Sequence, residues 1–376
     1  MNKIQLSESI TKGSPSNQNH MQSRGEERLK RCQRCILPDN YPGIAFDANG
    51  ICSFCTAYEK PNLKTKTEEL EQLVKATKRD NHHYHAIVPL SGGKDSAYVL
   101  YVMRRLYGLR VLAVNFDNGF RSPTAEANLK ILTDQLEVDS VSIKPNWNLM
   151  RDLYAAFVRI TGEFCTVCNS MGYLTIMSFL MKQFAAAKHK PLVVGGWSKH
   201  IEATPGMYSF DLSYFYDIIS QAGLSEVLRH SEMVDEMCLD VLMSTPDPRQ
   251  ARMGENFPLI YIMLPEYVPW NPHHIAQTLK KDLGWISPPE SDDETHFDCV
   301  IYPVAKYFER RKYGFSQNTV TYSALVREGR ISRTEALKNI LKEKKGIPAE
   351  FPQFLNRLGL KRTDVNWKGR WHPQRQ

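Results

Sequence analysis

Ser91-Gly92-Gly93-Lys94-Asp95-Ser96 gathers two hydroxyls, two glycines, a cation and a carboxylate in six consecutive positions. The run before it, His85 to Leu90, reads as a buried strand, and the run after it, Ala97 to Met103, reads as a helix. Glycines at such a corner let the backbone approach a phosphate closely. A helix N-terminus offers unpaired N–H groups and the positive end of its dipole. The chemistry implied is the holding of a nucleotide polyphosphate. The corner is not a Walker loop, which needs four residues between its first glycine and Gly-Lys-Ser/Thr. Lys94 adds a mobile cation. Asp95 is either a Mg2+ ligand or a helix-start acid steadied by the dipole.

Eight cysteines occur, and six of them form three C-x-x-C pairs. Cys32-x2-Cys35-x16-Cys52-x2-Cys55 has the spacing of a four-thiolate zinc ribbon, each pair aiming two sulfurs at one ion. Four protein ligands close the shell around Zn2+, so the ion would be structural; an iron–sulfur cluster is the competing occupant. The third pair, Cys165 and Cys168, falls at a helix start, which would lower a thiol pKa. Two packed cysteines are the plain alternative. No apolar signal region and no run of about twenty apolar residues is present, so a cytoplasmic protein with reduced thiols and no membrane span is expected.

The elements that must position these residues follow from periodicity. Strands are expected at 85–90, 110–116, 139–144 and 191–196, and helices at 123–136, 149–160 and 170–187. Strands alternating with helices predict an α/β fold, a doubly wound parallel sheet whose ligands sit beyond the carboxyl ends of its strands. Helical patterns recur near 211–243, 272–283 and 332–344, and Cys299 to Tyr302 reads as one more strand. The organisation expected is a flexible tail over 1–27, a zinc ribbon over 28–60, a nucleotide domain over 61–205 and a mainly helical substrate or partner region over 206–376. His82, His83 and His85 read as exposed linker residues. A net charge of +7 suits an anionic substrate but does not choose among a nucleotide, a nucleotide-sugar and RNA.

The hexapeptide resembles the SGGxDS loop of the PP-loop ATP pyrophosphatases. That resemblance implies a HUP-like fold of the adenine nucleotide alpha hydrolase type and adenylation of a carbonyl or amide oxygen with release of pyrophosphate. Two further segments are more selective. Arg34 to Asp47 resembles the knuckle opening of the N-acetyl sugar amidotransferases of surface-polysaccharide and nonulosonic-acid biosynthesis. Lys312-Tyr313-Gly314-Phe315 and the run from Val326 to Leu337 resemble their "(R/K)-x-G-F … R-x-G-x-(I/M)-x-R-x-E-A" region. The family's activity implies that ammonia from a separate glutaminase partner displaces AMP on a small sugar-like acceptor.

The expected site follows from that resemblance. Ser91, Gly92, Gly93, Lys94, Asp95 and Ser96 would hold the phosphates of ATP, with Mg2+ at Asp95. Asp117 would meet ribose or base, or be a turn aspartate. Gly195 and Gly196 would admit the α-phosphate, and Lys199 would join Lys94 in stabilising the adenylating transition state. Cys165 and Cys168 depart from the sugar enzymes and resemble a cysteine pair of the PP-loop tRNA thiolases. There they would deliver sulfur or hold an iron–sulfur cluster, with Cys238 or Cys299 as third ligand and RNA as partner. The arginine pair usual after that motif is missing, because Asn169-Ser170-Met171-Gly172 stands there. The intact loop argues against a third reading, a non-catalytic ribbon adaptor.

Overall fold

Short apolar runs set the architecture. The structure, a computed structural model, describes residues 29–58, 63–79, 83–184, 191–197, 212–236, 238–240, 260–288, 297–343 and 346–367. The strands are β1 (Ala86–Pro89), β2 (Val111–Phe116), β3 (Asp139–Ile143), β4 (Leu192–Gly195) and β5 (Ile260–Met263). They pair in parallel in the order β3-β2-β1-β4-β5. The chain winds outward from β1 to β3, then crosses to β4, so the order reverses between β1 and β4. That reversal opens a crevice at the carboxyl ends of these two strands.

Alternation along each strand supplies two cores. Ile87, Leu112, Val114 and Val193 face one, and Ala86, Val88, Val111, Ala113, Leu192 and Val194 face the other. A parallel sheet buried on both faces needs helices on both, and each fully buried Ile or Val contributes roughly 1.5–3 kcal/mol. The first face is covered by α4 (Trp147–Ile160), α5 (Cys165–Phe184) and α6 (Leu212–Gln221). The second is covered by α1 (Leu63–Arg79), α2 (Lys94–Tyr101), α3 (Pro123–Leu136) and α7 (Pro272–Leu283). Helices α8 (Tyr302–Tyr313), α9 (Gln317–Arg327), α10 (Arg333–Lys342) and α11 (Glu350–Arg357) complete the described chain.

Several expectations change. β5 lies beyond the anticipated boundary at 205, so the nucleotide sheet draws its edge strand from the region read as mainly helical. Cys299 to Tyr302 is not a strand: Cys299 makes one isolated bridge to Arg121, and Tyr302 begins α8 with Pro303 in its first turn. Helix α5 starts at Cys165, five residues before the expected Ser170. His85 is buried, and its Nδ1 accepts from the Arg110 amide at 3.2 Å, which ties β1 to the start of β2. The tail over 1–27 lies outside the described residues.

The turn that leads into α5 is fixed by a buried ion pair. Lys312 Nζ donates to Thr161 O at 2.6 Å and lies 3.7 Å from Glu163, which also accepts from the hydroxyls of Tyr214 and Tyr313. Burial raises the Glu163 carboxyl and lowers Lys312, so desolvation outweighs their attraction in both groups. Lys312→Met leaves Glu163 buried without its cation, and should cost about 3–5 kcal/mol in denaturant melts at neutral pH. A carboxyl raised on folding stabilises below its unfolded pKa, and that contribution is lost as pH rises through the folded one. The deficit of Lys312→Met should therefore shrink as pH falls towards the ordinary carboxylate range; a pH-independent deficit would contradict this account.

Candidate functional site at the sheet switch point

The corner after β1 is built from its own side chains and braced from behind. Gly92 has φ +86°, and a Cβ there would lie 2.5 Å from Ala125 O on α3, so only glycine fits. The Gly92 carbonyl accepts from Asn128 Nδ2 and from Trp285 Nε1, both at 3.1 Å. Ser96 Oγ accepts from the Ser91 amide at 3.1 Å and donates to Gly93 O at 3.2 Å, while Ser91 Oγ accepts from the Gly93 amide at 3.2 Å. Lys94 and Asp95 open α2. Lys94, almost fully buried, pairs with Asp95 Oδ1 at 2.6 Å, and the same oxygen accepts from Trp270 Nε1 at 3.2 Å. The helix start thus presents its first amides together with a fixed cation and carboxylate.

A cavity of about 570 Å3 lies over this corner. Ser91, Gly93, Lys94, Asp95 and Ser96 line one part of it, and Val114, Asn115 and Phe116 at the end of β2 line another. Gly196 reaches it after β4, where an added Cβ would lie 2.9 Å from the Asp95 backbone, so this glycine lets β4 pack against the start of α2. A Cβ on Gly195 would meet Tyr261 Oη at 2.4 Å, so this glycine makes room for a tyrosine of β5.

Asp117 is placed as a turn residue. Its carboxylate accepts from the Gly119 amide at 2.9 Å and pairs with Lys144 at 3.2 Å, and it is not among the cavity-lining residues. Burial pushes its carboxyl up, but the Gly119 amide and Lys144 outweigh this and hold it below the usual range. Lys199 lies outside the described residues.

Cys165, Cys168 and Cys299 line the same cavity. Asn118 Nδ2 donates to Cys168 Sγ at 3.3 Å and to Cys299 Sγ at 3.8 Å, so the structure brings Cys299 to the pair. Cys238 sits elsewhere, buried on the turn where the Asp235 amide donates to Ser178 Oγ. The helix start does not activate Cys168. Burial pushes Cys168 up to about 11, with the Asp298 charge adding to it, and raises Cys299 further. Desolvation of a thiolate outweighs the dipole here.

The four ribbon cysteines are fully buried, with sulfurs all within 4.8 Å of one another. Cys32 and Cys55 sulfurs lie 3.8 Å apart, and those of Cys35 and Cys52 lie 3.7 Å apart. Four sulfurs 2.3 Å from one ion form a tetrahedron with edges of about 3.8 Å, so the set fits a single tetrahedral metal. Main-chain amides of Cys35 and Cys52 donate to Cys32 Sγ, and that of Leu37 donates to Cys35 Sγ. Among the described residues this is the only such ligand cluster.

Sequence reading missed Asp298. A Cβ on Gly93 would lie 3.1 Å from its Oδ2, so this carboxylate hangs over the corner. The Ser122 amide donates to Asp298 O, and the Val300 amide to Phe120 O, both at 2.9 Å, which fixes the segment against the loop after β2. Arg121, bonded to Asn115 and Glu126, is a second lining residue without a sequence signal. No motif flags either: Asp298 is placed by contacts between segments far apart in the chain, and Arg121 by neighbours five and six residues away whose spacing matches no pattern.

Comparison with known proteins adds four findings. An uncharacterized protein of Methanocaldococcus jannaschii is 23% identical over 334 residues, 88% of this chain and 99% of that one. The NH3-dependent NAD synthetase of Campylobacter jejuni aligns at 19% identity with a TM-score of 0.28, covering 44% of this chain and 76% of that one. The U34-tRNA thiolase NcsA of Methanococcus maripaludis, solved with its [4Fe-4S] cluster, aligns at 12% identity with a TM-score of 0.33, covering 85% and 92%. Residues 293–367 match the family model of the LPS biosynthesis protein WbpG-like C-terminal domain. Residues 293–367 are thus similar to the WbpG-like C-terminal domain, and the loop after β1 and the parallel sheet order agree with the PP-loop ATP pyrophosphatase resemblance read from the sequence.

Proposed function

We propose that the protein is an ATP-dependent amidotransferase acting on an amide oxygen of a sugar-like acceptor, with zinc in its ribbon. The observation that carries this reading is the shared cavity. The segment matching the WbpG-like model supplies Asp298, Tyr302, Thr321, Arg330 and Glu335 to the same space that holds the phosphate corner. The phosphate corner and the candidate acceptor residues therefore line one cavity.

The acceptor oxygen attacks the α-phosphorus of ATP, the bond to the β-phosphate oxygen breaks, and pyrophosphate leaves. The corner amides, Ser91, Ser96 and Lys94 neutralise that leaving group. Asp95 would hold Mg2+, which supplies further charge neutralisation on the phosphates. Ammonia then adds to the activated carbon and gives up a proton, the carbon–oxygen bond breaks, and AMP departs to leave an amidine. Asp298 is placed to take that proton, because it lies beside the corner and its charge reaches Cys168 and Cys299. Lys199 remains a proposed partner of the α-phosphate, and a glutaminase partner would supply ammonia.

A second reading, sulfur transfer to RNA or a small amide, is favoured by Cys165, Cys168 and Cys299 lining the cavity. With Cys168 raised to about 11, a sulfur-carrying role needs a metal or a persulfide to activate it.

Two measurements test these readings. Supplied with ATP, Mg2+, ammonium chloride and a panel of N-acetylated nucleotide-sugars, the protein should release AMP and pyrophosphate with one acceptor, and Cys165→Ser/Cys168→Ser should keep that turnover. Formation of ADP and orthophosphate, or abolished turnover in the double variant, would sink the nitrogen reading. Asp298→Asn should leave acceptor-dependent ATP–pyrophosphate exchange within a few-fold while lowering net AMP release by about 10^2–10^4-fold. Parallel loss of both would remove Asp298 from the second step.

A further inference from the structure

The run from Val326 to Leu337 does two things at once. Arg327 Nη1 donates to Cys35 Sγ at 3.8 Å, and Arg333 Nε donates to the carbonyls of Cys32 at 3.2 Å and Cys35 at 2.9 Å. Arg330 and Ile331, between those arginines, line the nucleotide cavity, as do Glu335 and Asn339 on α10. Glu335 and Asn339 are four residues apart and share a helix face, whereas Arg333 precedes Glu335 by two and points to the other side. The segment therefore has the ribbon on its back and the cavity on its front.

The docking is wider than two arginines. Asn40 Nδ2 donates to Tyr313 O at 2.7 Å, and Leu37 and Tyr41 share one apolar cluster with Tyr313, Phe315 and Val320. The two carbonyls that Arg333 bridges belong to the metal knuckle itself. Their convergence depends on Cys32 and Cys35 being drawn to a common ion, and the charge of Arg327 complements the thiolates that such an ion holds. The phosphate corner, by contrast, is braced by Asn128 and Trp285, whose bonds run to Gly92 and to the segment after α7.

We propose that Arg327 and Arg333 are positioning residues through which the loaded ribbon sets the C-terminal wall of the cavity at Arg330, Ile331, Glu335 and Asn339. Metal loss loosens that wall and leaves the phosphate corner intact. The ribbon is then a strut for the acceptor side of the site and not only a fold-stabilising appendage. This holds whichever nucleophile the enzyme uses.

The test needs neither acceptor nor turnover. Amide hydrogen exchange is followed in the zinc-loaded full chain, in the same protein after chelation, and in zinc-loaded Arg333→Met and Arg333→Lys. Exchange across 330–340 should rise at least about tenfold on chelation and in Arg333→Met, with the amides of 91–97 unchanged. Arg333→Lys should recover most of the protection, and Arg333→Met should still bind one zinc. If Arg333→Met loses its zinc, the chelated wild type and Arg333→Lys carry the comparison. In cobalt-loaded protein, Arg327→Gln should shift the sulfur-to-cobalt charge-transfer band. Unchanged exchange across 330–340 after chelation and in Arg333→Met overturns the proposal. So does an equal rise at 91–97, which marks general unfolding, and an unmoved cobalt band removes Arg327 from it.

Discussion

One main-chain oxygen organises the nucleotide corner. A loop that turns its amides towards an anion must place its carbonyls elsewhere, and a buried carbonyl without a donor costs about 1–3 kcal/mol. The Gly92 carbonyl resolves this by accepting from Asn128 and Trp285. Asn128 belongs to α3 and its Oδ1 accepts from the Ile286 amide, so the segment after α7 is locked to α3 through the same side chain. The corner inherits its rigidity from two helices of the second core, and the left-handed turn at Gly92 is held open by that packing.

What was legible in the sequence was local. Ser91 to Ser96 declares a strand-to-helix corner because glycines, hydroxyls and flanking periodicity all lie within a few residues. The ribbon declares itself by spacing, and four buried sulfurs within 4.8 Å bear out that grouping. The three central strands read correctly as short apolar runs, and the edge strand β3 by its alternation of Val141 and Ile143 with polar residues. β5 did not, although Ile260–Met263 is as long as β1 and β4, because it lies beyond the regular strand–helix alternation and pairs with a strand more than sixty residues earlier. Asp298 was invisible for the same reason: its place over Gly93 is made by hydrogen bonds to Ser122 and Phe120, more than a hundred residues away. The helix start at Cys165 was chemically suggestive, but the enclosure that raises Cys168 belongs to the tertiary structure.

The two C-terminal motifs gain a physical meaning from where they point. Lys312 and Tyr313 reach Glu163, two residues before the cysteine-bearing helix, while Phe315 packs into the ribbon cluster. Arg327 and Arg333 hold the ribbon from the other side. Residues that a sequence pattern would suggest as substrate-binding are therefore mostly brackets. The cavity is lined by the remaining motif positions Ile331 and Glu335 and by Arg330 beside them.

An adenylated amide is destroyed by water, so a site that makes one must keep its reacting carbon dry. Tyr154, Phe164, Tyr173, Ile176 and Met177 give this cavity an apolar share of its lining beside the charged and polar residues of the corner and of Arg330 and Glu335. Protonated thiols suit that lining, because neutral sulfur behaves as a small apolar group, whereas thiolates would draw in water and counter-ions. The burial that disfavours the Cys168 thiolate is thus compatible with the dry site that the proposed reaction would need.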